Sequence, residues 1–158
     1  MGVAIVGAVT GIVALVVQSI QFRSSGPRLK VDLLWAWIGP GGSGAITVPM
    51  TGKRPTPPEQ GYDTLMLAVQ ARNTGRAATT VETAGIRRSD GMRFHHPTSP
   101  VGPSAPVRLE AESSVMFFVD PQPMLAAAEV IPASGGIAAY VVLGSGREVR
   151  SGEVLKVS

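Results

Sequence analysis

The chain has 158 residues, two histidines and no cysteine. His95 and His96 are adjacent, so in extended backbone they point to opposite sides and cannot together ligate one metal; no H-x-H or H-x-x-x-H spacing accompanies them. His95 or His96 could at most pair with Asp90 across a turn, and two exposed loop histidines are the expectation. The absence of cysteine excludes disulfides, thiolate zinc sites, iron–sulfur ligation and cysteine nucleophiles. Ser145, in Leu-Gly-Ser-Gly-Arg, lacks the G-x-S-x-G frame that raises a hydrolase nucleophile on a strand-to-helix turn, and reads as a hairpin serine.

Residues 39–44, GPGGSG, are glycine-rich but lack the Lys-Ser/Thr that ends a phosphate loop, and no helix follows to offer its N-terminus to an anion. Glu110 and Glu112 share a side if extended, yet they flank a break between strands, so a solvated face is expected rather than an acid–base pair. Arg72, Arg76, Arg87, Arg88 and Arg93 crowd the middle of the chain. Glu82 and Asp90 interrupt them and no surface aromatics accompany them, so protected strand edges are expected rather than a nucleic-acid surface. No set of residues meets the geometric needs of an enzyme. The expectation is a non-catalytic protein without metal, cofactor or small-molecule substrate.

The elements that carry these residues divide the chain in two. Apolar residues make up 44% and charged residues 16%, with 19 glycines and 13 prolines, a composition that favours strands and turns. Net charge is +3, yet no charge lies before Arg23. Residues 1–22, MGVAIVGAVTGIVALVVQSIQF, would span about 33 Å as a helix, matching a hydrocarbon core of about 30 Å. No basic residue precedes the run and no A-x-A-like site follows it, which argues against a cleaved signal peptide. Arg23, Arg28 and Lys30 follow it directly, so the positive-inside rule places the N-terminus outside and the rest in the cytoplasm. Those cations can also meet an anionic leaflet. Within the run, Ala4, Gly7, Gly11 and Ala14 form a row of small residues along which another helix could pack closely.

Beyond a linker at residues 23–27, residues 28–158 read as one β domain. Arg28 to Ile38 alternates, with Leu29, Val31, Leu33, Trp35 and Trp37 on an inward face and Arg28, Lys30, Asp32, Leu34 and Ala36 on the other. Further strands are expected at Ala45–Val48, Tyr62–Arg72, Ala78–Arg87, Met92–His95, Val107–Glu110, Ser114–Val119, Ile137–Leu143 and Glu148–Ser151. Asn73-Thr74-Gly75-Arg76, Asp90-Gly91 and Gly144-Ser145-Gly146 supply turns. Asp120 is placed to cap a short helix through Met124–Glu129. About seven or eight short strands with frequent turns describe an antiparallel sandwich of immunoglobulin-like type.

The order of an apolar N-terminal helix, "SGPRLKVDL", "LAVQARNTGRAATTVETAGIRRSDGMRF" and "AYVVLGSGREVRS" resembles small membrane-anchored immunoglobulin-like proteins of high-G+C bacteria and their phages. The resemblance implies a fold and a setting; it carries over no functional residues. Two functions are compatible with it. One is a single-pass protein of the cell membrane that presents a cytoplasmic β-sandwich as a binding or structural module, with lipid and another membrane helix or subunit as partners. The other is a phage or particle decoration protein whose helix inserts into a neighbouring subunit within a virion or other assembly.

Overall fold

The computed structural model describes residues 13–19, 25–50, 55–58, 61–95, 101–124, 126, 136–152 and 155–156. Among these residues ten strands are arranged as two antiparallel sheets. They are β1 (Leu29–Ile38), β2 (Ala45–Pro49), β3 (Thr64–Asn73), β4 (Thr79–Arg88), β5 (Arg93–Phe94), β6 (Val107–Leu109), β7 (Ser114–Val119), β8 (Gly136–Leu143), β9 (Glu148–Arg150) and β10 (Leu155–Lys156). The first sheet has the order β2-β1-β3-β7; the second has β10-β8-β4-β5, with β6 on β4 and β9 on β8. The all-β sandwich expected from the alternating apolar residues is therefore observed. The two-residue β10 had no periodic signal and was not expected.

The main core lies between the sheets. Val31, Leu33, Leu67, Val69, Ala71, Phe117 and Val119 from the first sheet meet Val81, Ile86, Ile137, Ala139, Val141 and Leu143 from the second. These are in-phase positions of period-two strands, so one face of each is removed from water. β1 departs from the expected half-buried strand. Leu34 and Ala36, expected on the outward face, join Ile38, Met66, Ala68, Met116, Phe118 and Val101 in a second apolar cluster. Because that cluster assembles from β1, β3, β7 and a loop, the alternation along β1 alone could not show it.

The hairpins turn on left-handed glycines. Arg88 N donates to Met92 O and Gly91 has φ +93°, so the loop is Ser89-Asp90-Gly91, one residue longer than the expected Asp90-Gly91 pair. Leu143 N similarly donates to Arg147 O across Gly144-Ser145-Gly146, with Gly146 at φ +80°. Asp120 Oδ1 accepts from Gln122 N at 2.8 Å, and residues 122–124 are helical, as a capping aspartate requires. The expected extension to Glu129 lies outside the described residues.

Residues 13–19 are helical, and Val13, Leu15, Val16 and Val17 are 46–64% exposed. Among the described residues no helix is long and apolar enough to cross a membrane. The rest of the expected span, residues 1–12 and 20–22, lies outside the described residues.

Candidate functional site

The antiparallel register sorts the polar residues into two ends and one face. We term the end where the chain enters β1 proximal. There Leu29 pairs with Asn73, Thr79 with Leu109, Arg72 with Ser114 and Val81 with Leu143. Asn73 organises it. Fully buried, it donates from Nδ2 to Ala77 O at 2.8 Å and Glu110 O at 3.1 Å, while its Oδ1 accepts from Gly75 N at 3.0 Å and Arg28 N at 3.3 Å. Thr74 adds two hydrogen bonds to Arg28 O, from N at 2.7 Å and from Oγ1 at 3.1 Å. Gly75 sits so close to Gly26 O and Arg28 N that a Cβ would collide with both. The Asn-Thr-Gly turn thus clamps the incoming chain from residue 26 onward.

Around this clamp stand Arg28, Lys30, Arg72, Arg76 and Arg147, all exposed. Lys30 and Arg72 are direct cross-strand partners in the β1–β3 register, an arrangement of like charges that weakens strand pairing. Among the described residues none of the five forms an ion pair. Asp32 lies on the same face two residues beyond Lys30 and is not within ion-pairing distance. The carboxylates at this end are Glu82, Glu112 and Glu110; Glu110 is held by Arg108 at 2.7 Å.

The outer face of the second sheet carries a different cluster. Arg93 Nη2 donates to Glu148 Oε2 at 2.8 Å, Arg150 Nε donates to Oε1 at 2.6 Å, and Arg87 Nη1 lies 3.6 Å from Oε1. The hydrogen bond from Arg150 is the main reason the Glu148 carboxyl is held below the usual range; partial burial opposes it, and the charges of Arg150, Arg93 and Arg87 reinforce it. Arg93 also stacks 5.2 Å above the Tyr140 ring. Tyr140 is 2% exposed. Burial pushes its phenol up, with Arg93 pulling the other way and Glu148 adding to the rise. All three arginines share the one carboxylate of Glu148, and the cluster ties β4, β5, β8 and β9 together.

At the distal end a cleft of ≈ 790 Å³ is bordered by Gly39–Gly42, Asp63, Thr64, Val101, Asp120 and Gln122. Its carboxylates have local duties: Asp63 Oδ1 accepts from Thr64 Oγ1 at 3.0 Å, and Asp120 caps residue 122. Among the described residues no group of three or more His, Cys, Asp or Glu could hold a metal ion.

The structure therefore disperses the five mid-chain arginines. Arg72 and Arg76 join Arg28 and Lys30 at the proximal end, and Arg87 and Arg93 hold Glu148. Arg88 turns inward, 3% exposed, with Asp90 at 2.9 Å. Arg147, which sequence reasoning passed over, belongs with the proximal group because its hairpin ends beside β4. His95 is exposed and His96 lies outside the described residues; Ser145 is an exposed turn residue. Glu112 adopts φ +56° in a turn, so it does not share a strand face with Glu110 as an extended segment would. Ala14 is helical and exposed. Ala4, Gly7, Gly11 and Arg23 lie outside the described residues. No family model matches the chain, and no curated protein matches it in sequence.

Proposed function

We propose that this chain is a non-catalytic, single-pass membrane protein whose β-sandwich, of immunoglobulin-like type, serves as a binding or structural module in a larger assembly. The same reading includes its kinship with the membrane-anchored proteins it resembles. What carries it is the uncharged apolar run of residues 1–22, followed at once by Arg23, Arg28 and Lys30. A run of that length and composition suits a hydrocarbon core, and the trailing cations favour an outside N-terminus with the sandwich in the cytoplasm. The row of Ala4, Gly7, Gly11 and Ala14 offers a close-packing face to a second helix, which in lipid must be recognised by shape.

Membrane fractionation tests the reading. The protein should resist alkaline carbonate, float with lipid, and keep its sandwich protected from protease added outside spheroplasts. Extraction by carbonate together with sedimentation in a particle would overturn it in favour of a decoration protein. Replacing Gly7 and Gly11 with Ile should leave the protein in the membrane and remove its crosslinked partner.

A further inference from the structure

We propose that the proximal end of the sandwich is a lipid-facing collar, in which Arg28, Lys30, Arg72, Arg76 and Arg147 rest on anionic phospholipid headgroups and set the tilt of the domain. This rests on the membrane reading above and goes further, because three of the five cations reach the collar only through tertiary structure.

Three observations lead to it. The first is charge without partners. The five exposed cations lack ion pairs among the described residues, whereas Arg87, Arg93 and Arg150 of the second sheet converge on Glu148, and Arg88 and Arg108 pair with Asp90 and Glu110. Lys30 opposite Arg72 is a repulsive pair that an anionic surface would relieve. The second is asymmetry. The described carboxylates of the distal end are Asp63, Asp90 and Asp120, against the buried Arg88, which pairs with Asp90, and Lys156, which the β8–β10 register sets opposite Gly136; the proximal end carries more cations than its three carboxylates. The domain is thus polarised along its strands, with the basic end towards the apolar run.

The third observation is reach. Four residue steps separate Phe22 from Gly26, at most about 14 Å of chain. From Gly26 onward the chain is clamped to the Asn73–Gly75 turn by the hydrogen bonds of Arg28 with Asn73 and Thr74. If the run ends at the bilayer surface, the collar is held near it, a separation comparable to the Debye length of about 8 Å at physiological salt. Phosphate and carboxylate headgroups there match guanidinium donors in charge and geometry.

The natural chain has no cysteine, so single reporters can be placed cleanly. Ser145→Cys marks the proximal end and Ser43→Cys the distal end; both positions are exposed. The full chain, labelled with a fluorophore, is reconstituted into nanodiscs carrying a headgroup quencher. One disc is phosphatidylcholine; the other contains phosphatidylcholine and phosphatidylglycerol in equal parts. Quenching at residue 145 should be about twofold or more stronger in the anionic disc. It should fall to the phosphatidylcholine level in molar salt, as screening requires, and remain weak at residue 43. Combining Arg72→Gln, Arg76→Gln and Arg147→Gln should abolish the difference while the far-ultraviolet circular dichroism stays unchanged; Arg76→Gln alone should reduce it.

Equal quenching of residue 145 in the two discs, or an unaltered difference in the triple variant, overturns the collar and leaves the membrane reading standing. Failure to incorporate into either disc overturns both. Loss of the quenching to added duplex DNA, with the protein still inserted, would assign the basic end to nucleic acid instead.

Discussion

Asn73 satisfies four backbone groups from three separate segments, and each would be left wanting by its removal. A buried polar group without a partner costs about 1–3 kcal/mol, and water can reach some of these near exposed Arg28. Asn73→Ala should therefore destabilise the domain by about 3 kcal/mol or more in urea unfolding. Asn73→Asp should be comparably harmful, since it turns two donors into an acceptor facing the carbonyls of Ala77 and Glu110. Glu148 supplies a test with pH. Its carboxyl titrates lower in the folded chain than the usual 4.5, so the unfolded chain binds the proton more readily. The stability it contributes is fully present above the usual value and is lost as pH falls through the lowered folded value. In Glu148→Gln that part of the acid destabilisation should disappear from unfolding curves taken across pH 3–6 (about the carboxylate range). An unchanged acid limb would mean that the arginines do not act through this carboxylate.

At the scale of elements, β1 is an interior strand, with β2 on one side and β3 on the other. Its two tryptophans lie on the same inward side but differ in burial. Trp37 is 3% exposed, whereas Trp35 is partly exposed and packs at the border of the main core. Trp37→Ala should cost about 3–5 kcal/mol, the range for emptying a large buried site. Trp35→Ala should cost roughly half as much, because it removes less buried surface and leaves a gap open to solvent. Equal costs in paired urea titrations would show that Trp35 is as enclosed as its neighbour. The indole N–H groups of both find no hydrogen-bond partner among the described residues, so Trp37→Phe should be much milder than Trp37→Ala.

For the whole molecule, the main core is assembled from residues of the sandwich alone, and the described helical residues 13–19 contribute none. Residues 26–158 should accordingly fold after removal of the preceding segment, with a β-dominated far-ultraviolet spectrum and a cooperative thermal transition. A strongly helical or unfolded spectrum would refute this autonomy. The truncation begins at Gly26 because its carbonyl packs against Gly75; a start beyond Arg28 would strip the Asn73 clamp and should lower the transition temperature.

Much of this architecture was legible along the chain. Period-two alternation located β1, β3, β4, β7 and β8, because a strand with one face in a core must repeat every second residue. The turns were marked by Asn73, Asp90 and Gly144–Gly146, whose side chains or conformational freedom act over two or three residues. The charge-free run and its trailing cations were equally plain, being properties of consecutive residues. Tertiary structure decided what depends on register. It gathered Leu34, Ala36 and Ile38 into a second apolar cluster, turned Arg88 inward beside Asp90, and gathered Arg87, Arg93 and Arg150 on Glu148. It also set Lys30 opposite Arg72 and brought Arg76 and Arg147 to the same end of the domain. Lys30 and Arg72 are 42 positions apart, and nothing local to either specifies the other. Their pairing follows from the one alignment of β1 with β3 that keeps both inward faces in the shared core, since a one-residue slip would turn those faces to water.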